Sequence, residues 1–179
     1  MTKRPVQFLA LALLLLAAAG CASSGALRDV SPLVAAKPFD LNVILVQTAS
    51  PLPGLTAEKQ MLNDAIASGL RDTHLFKSVS ANRADLGAGS GITVTATITR
   101  IKAISRSERQ WAGAMAGRAK IWVHVAVSDL NSAQPMQTFD VYGESSGGSN
   151  LAGTTDEAID RAAEPVVAQV TKINAQTAQ

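Results

Sequence analysis

The sequence predicts an α+β domain: a mainly antiparallel sheet of about four to five strands with two amphipathic helices packed on one face, in the order β-α-β-β-β-β-α. Three observations carry this. Residues 92–101 and 119–127 alternate apolar and polar side chains with period two, as strands covered on one side do. Residues 56–72 and 154–173 repeat apolar side chains at helical spacing. The later strands are joined by short connections, which suits antiparallel pairing.

The first strand is predicted over 39–46 (FDLNVILV). Phe39, Leu41, Val43 and Leu45 share one face, and Ile44 and Val46 make the other apolar too, as in a strand well inside a sheet. Pro51, Pro53 and Gly54 stop it. Thr56 is placed to N-cap a helix running to about Asp72, with Met61, Leu62, Ala65, Ile66, Gly69 and Leu70 as its apolar stripe. Phe76 to Ser80 reads as a short second strand, and the glycines from Gly87 to Gly91 punctuate the chain. In the next strand Ile92, Val94, Ala96 and Ile98 point one way and Thr93, Thr95, Thr97 and Thr99 the other.

Over 119–127, Ile121, Val123, Val125 and Val127 oppose Trp122, His124 and Ala126. Residues 129–135 (DLNSAQP) form a hairpin-like connection to a last strand over 137–144, which Gly147 and Gly148 end. Thr154-x-x-Glu157 has the form of a capping box. The helix behind it carries Ile159, Ala162, Ala163, Val166, Val170 and Ile173 on one side. Pro165 lies inside it and predicts a bend near Asp160–Glu164 or two shorter helices.

Upstream of this domain the chain reads as a targeting segment. Lys3 and Arg4 precede an apolar stretch from Phe8 to Ala19, too short for a membrane span of roughly 20 residues but laid out as a signal peptide. Residues 16–21 (LAAAGC) resemble the lipobox of bacterial lipoproteins, with Ala18 where leucine is commonest. The resemblance implies that residues 1–20 are removed and that Cys21, the single cysteine, carries fatty acyl groups such as palmitate. Two or more such chains give a stable anchor. Ala17-Ala18-Ala19 also fits an ordinary signal-peptidase site, which would release a soluble periplasmic protein. The expected organisation is a signal over 1–20, an acylated cysteine and flexible tether over 21–37, and one periplasmic domain over 38–175. Ala22, in place of an aspartate, implies by the same resemblance the periplasmic side of the outer membrane.

Composition narrows the function. Lys3 and Arg4 leave with the signal, so the sixteen Lys and Arg fall to fourteen, equal to the fourteen Asp and Glu. The mature chain is formally neutral, and its charge gives no ground for nucleic-acid binding. Charge is unevenly placed: residues 100–120 are mostly basic and 129–164 mostly acidic, which reads either as two solvated faces or as a polarised surface for a partner.

No catalytic or metal pattern stands out. His74 and His124 are the only histidines, with no paired-cysteine or HExxH spacing, so no metal or cofactor is predicted. Residues 143–147 (GESSG) fit the G-x-S-x-G elbow of hydrolases around Ser145. That elbow leads straight into a helix and its histidine comes later, whereas here no helix begins before Thr154 and no histidine follows His124. The acidic residues Asp156, Glu157, Asp160 and Glu164 suit a solvated helix face with favourable charge near the helix N-terminus, rather than a cation site. Residues 106–118 read as a plain loop between strands or as a contact loop. In the second reading Trp111 and Met115 are apolar anchors flanked by Arg106, Arg109 and Arg118, for a protein or an anionic membrane surface.

The lipobox, the run 113–129 (GAMAGRAKIWVHVAVSD) and the closing segment 154–173 resemble the bacterial lipoproteins of the domain of unknown function 4410 family. The element order is also similar to periplasmic modules of the curli-secretion lipoprotein, the TolB amino-terminal domain and the lipoprotein activators of peptidoglycan synthases. That resemblance implies binding or assembly rather than catalysis: a non-enzymatic envelope module that binds a protein partner or joins an oligomeric secretion or pore component. An envelope hydrolase using Ser145 is the alternative.

Overall fold

A computed structural model describes residues 24–34, 43–86, 91–112, 115, 117–132, 134–147 and 153–177. Along the chain these form β1 (Ser24–Arg28), β2 (Val43–Ala49), α1 (Thr56–Asp72), β3 (Ser78–Ser80) and a 3-10 turn (Arg83–Leu86). Then come β4 (Ile92–Lys102), α2 (Arg106–Ala112), β5 (Lys120–Asp129), β6 (Pro135–Glu144) and α3 (Thr155–Thr177). The strands make one sheet in the order β1-β6-β5-β4-β2-β3.

This corrects the predicted sheet. It has six strands, not four to five, and is partly parallel: β2 pairs in parallel with both β3 and β4, while β1, β4, β5 and β6 pair antiparallel. The cause is α1, which carries the chain back so that the next strands run in the direction of β2; parallel neighbours need such a crossover. There are three helices among the described residues, not two.

The alternating side chains divide as the sequence predicts. Val94, Ala96, Ile98, Ile121, Val123, Val125, Val127, Phe139 and Val141 are buried beneath α1 and α3. The facing helix residues are Leu62, Ile66 and Leu70 of α1 and Ile159, Ala162, Val166, Val170 and Ile173 of α3. In β2 the roles are reversed from a simple reading. Ile44 and Val46 face this main core, while Leu45 joins Leu86 and Leu130 in a small cluster on the opposite side. Phe39 and Leu41 lie outside the described residues.

Three local expectations change. The tether predicted over 21–37 contains β1, registered against β6 from Ser24↔Glu144 to Arg28↔Asp140. The run continues beyond the strand, with Ser31 N donating to Thr138 O (2.8 Å) and Val34 N to Met136 O (3.0 Å). Leu55, not Thr56, is the N-cap of α1, and no side chain caps it. Helix α3 runs unbroken through Pro165, so it is not divided in two. Pro165 cannot offer an amide hydrogen to the Arg161 carbonyl. Gly25 of β1 lies against that carbonyl and beside the Pro165 ring, so closely that a Cβ at position 25 would overlap the oxygen. On β6 the cross-strand partner Gly143 lies equally close to Ala158 and Ala162. This glycine pair lets α3 sit directly on the β1–β6 ladder.

Candidate interaction site

The connection from β4 to β5 contains the short helix α2. Ser105 Oγ accepts from Glu108 N (3.1 Å), and Glu108 Oε2 accepts from Ser105 N (2.7 Å), closing a capping box at the start of α2. The bond from the Ser105 amide, then that from its hydroxyl, holds the Glu108 carboxyl below its ordinary pKa. Ile104 is buried, and its amide and carbonyl both bond the Thr155 hydroxyl (2.9 and 3.1 Å), which ties the connection to the start of α3.

Of the predicted contact residues, Trp111 and Met115 stand almost fully in solvent, at 92% and 94% exposure. Arg106 reaches Asp156 (3.1 Å) in an exposed pair. Arg118 points elsewhere, to Glu144 (3.3 Å) and against Gly147. Among the described side chains, Trp111 and Met115 project, whereas Arg118 turns away from them to Glu144 of the sheet. Cys21 and the side chain of Arg109 lie outside the described residues.

The open face of the sheet carries a group that sequence reading places on one side but does not assemble. Cross-strand registers align Arg100, Trp122, Tyr142 and Ala26 in one row, and Lys102, Lys120, Glu144 and Ser24 in the next. The Trp122 and Tyr142 rings lie 5.2 Å apart at 52°. The Arg100 guanidinium sits 4.8 Å from the Trp122 ring centre, and Arg28 and Lys120 sit 5.9 and 5.8 Å from that of Tyr142. Glu144 accepts from the Tyr142 hydroxyl and pairs with Arg118 and Lys120. The Tyr142 bond, then the charges of Lys120 and Arg118, hold its carboxyl below the usual range against the opposing effect of burial. Burial first, then the bond to Glu144, raises the Tyr142 phenol. One row further, His124 Nδ1 lies 2.6 Å from Asp140 Oδ1, both half exposed. Alternation marks Trp122 and His124 as neighbours on one face; only register brings Arg28, Arg100 and Tyr142 to them.

Ser145 is fully buried. Its Oγ accepts from Ala119 N (2.9 Å), and its own amide donates to Ala119 O (3.0 Å), so the G-x-S-x-G segment serves as a joint between β6 and the approach to β5. Its neighbour Ser146 bonds Glu157 through both amide and hydroxyl (3.0 and 2.9 Å), and Gly153 N joins the same carboxylate (2.8 Å). Burial pushes Glu157 up, but these three bonds outweigh it and its pKa is lowered. His124, on the open face, belongs to the Asp140 pair rather than to this serine.

Fold and site define a one-sheet α/β module whose open face carries Trp122, Tyr142 and the cationic side chains around them. The chain belongs to the family described as Domain of unknown function (DUF4410), which matches residues 42–162. That match agrees with the resemblance seen in 113–129; β1 lies outside it. No curated protein matches the chain. Solved structures that share its fold include two of PelC from Paraburkholderia phytofirmans. One is a PelC dodecamer in space group P6, with a TM-score of 0.54; the other is a dodecamer of a PelC point variant in space group C2, with a TM-score of 0.50. In each case identity is 14%, and the similarity covers 82% of this chain and 96% of that one.

Proposed function

We propose that the protein is a non-catalytic, lipid-anchored module of the bacterial cell envelope, held through Cys21 at the periplasmic side of the outer membrane and working by assembly with further copies of its own chain. The observation that carries this is the position of the single cysteine. It closes a signal-like segment and stands three residues before Ser24, the first residue of a strand docked on the sheet edge. A cysteine there suits an anchor that holds the folded body close to a bilayer. Assembly is supported by the PelC likeness, since both matched structures are dodecamers. Non-catalytic action is supported by the sealed setting of Ser145.

Two measurements on protein extracted from native membranes test this. Intact mass is expected to show acyl groups on a chain that begins at Cys21, and the mass of the detergent-solubilised particle is expected to be a multiple of the monomer. A chain that partitions into buffer with its thiol unmodified rejects the anchor, and a strictly monomeric mass rejects the assembly.

A further inference from the structure

Trp111 and Met115 are the most exposed large apolar side chains among the described residues. Both belong to the connection that leaves β4 at Lys102 and enters β5 at Lys120, and the Ser105–Glu108 box holds Trp111 on a short fixed helix. Lys102, Lys120, Glu144 and Ser24 form one row across four adjacent strands, so this connection and the start of β1 lie at the same end of the sheet. Three strand spacings, about 14 Å, separate Lys102 from Ser24. Cys21 is three residues before Ser24, a reach of roughly 10 Å even when fully extended.

An acylated Cys21 therefore keeps this end of the sheet near the bilayer, whatever path residues 21–23 take. We infer that the α2 connection is the membrane-contacting rim of the domain. Trp111 and Met115 enter the headgroup–acyl boundary of the leaflet that holds the Cys21 chains, and exposed Lys102 and Arg106 face its anionic headgroups. The inference rests on the lipoprotein reading of Cys21. A lipid surface fits better than a protein here because a partner seated on Trp111 would have to share the short gap between the body and its own anchor. Tryptophan suits the place, since its ring is apolar with one polar N–H and partitions to membrane interfaces. The role of the rim is orientation: acyl chains alone leave the body free to pivot, whereas a second contact fixes which surfaces face outward.

The chain holds two tryptophans, so the test can separate them. The full-length protein extracted from membranes is reconstituted in phosphatidylethanolamine–phosphatidylglycerol vesicles whose acyl chains carry bromine. Three proteins are compared: wild type, Trp111→Ala, which leaves Trp122, and Trp122→Phe, which leaves Trp111. Trp111 is exposed, so its replacement leaves the core intact. The Trp122→Phe protein is expected to be quenched about two-fold or more, as an indole at the interface would be, and Trp111→Ala to be nearly unquenched. Intact mass is read on the same samples. Acylated protein with unquenched Trp111 overturns the rim alone; unacylated protein overturns the anchor and the rim together. Equal quenching of Trp111 and Trp122 also overturns it, because the open sheet face would then lie in the bilayer instead.

Discussion

Alanine at Gly25 and alanine at Gly143 create the same kind of overlap, yet they should damage the protein in different ways. At Gly143 the new Cβ would overlap the Ala158 carbonyl and stand 2.7 Å from Ala162 N and 2.9 Å from Ala162 Cβ. At Gly25 it would overlap the Arg161 carbonyl and stand 3.3 Å from Pro165 Cδ. Most of these atoms are helix backbone, so no rotamer change clears them. Strand β6 is held between β1 and β5, so relief at Gly143 requires α3 to lift from the sheet and loosen Ala158, Ala162 and Val141. Overpacking a core costs about 1–3 kcal/mol, and the need to lift a packed helix places Gly143→Ala at about 3 kcal/mol. Strand β1 is an edge, with four of its five residues exposed. It can peel away, so the cost of Gly25→Ala is capped by the local opening of β1, about 1 kcal/mol. Urea unfolding combined with hydrogen exchange separates the two. Gly143→Ala should lower the midpoint strongly. Gly25→Ala should lower it slightly while the amides of residues 24–34 lose protection. Equal midpoints, or a fully protected β1 in the Gly25 variant, would refute the account of the glycine pair.

Two further outcomes follow from the buried joints. Ser145→Ala leaves the Ala119 amide buried without its acceptor and should cost about 1–3 kcal/mol in urea unfolding; any ester turnover lost in a folded variant would instead make Ser145 a nucleophile. Glu144 has a folded pKa below its unfolded one, so its contribution is complete above the ordinary carboxylate range and is lost as pH falls through the folded value. The midpoint of the wild type should therefore fall more steeply than that of Glu144→Gln on acidification below about pH 4.5, with Glu157 supplying a residual slope of the same sign. Parallel curves would mean that the Tyr142–Lys120–Arg118 group does not stabilise the fold through Glu144.

Period-two alternation is enough to read β4, β5 and β6, because each hides one face and wets the other. It is not enough for β1. Its five residues (SGALR) bury almost nothing, and the strand exists because β6 offers an edge and α3 offers room for Gly25. Parallel pairing of β2 has a visible sign, apolar residues on both faces, but such a run also suits the middle of an antiparallel sheet. The extra helix α2 has a sign as well: Ser105-x-x-Glu108 is the same pattern that marks Thr154-x-x-Glu157. At seven residues it is too short to show an apolar stripe, so only the cap could reveal it. The cationic row around Trp122 and Tyr142 is unreadable, since it depends on register between strands far apart in sequence.

The capping pattern at α3 reads as local in the sequence and proves to be only partly so. Glu157 reaches the nearby Gly153 N but also both donors of Ser146, and Thr155 turns to Ile104. With Ser145 bound to Ala119, these links join the end of β6, the start of α3, the α2 connection and the approach to β5. All of them lie at the end of the sheet where Ser24 begins. Polar residues that a sequence reader assigns to turns therefore hold two connections, β4–β5 and β6–α3, to each other. Trp111 stands on the helix that Ser105 caps, and the adjoining Ile104 is tied to Thr155 at the start of α3. Under the proposed anchor at Cys21, acyl chains on one side of that end and the Trp111 indole on the other would together set the angle of the body.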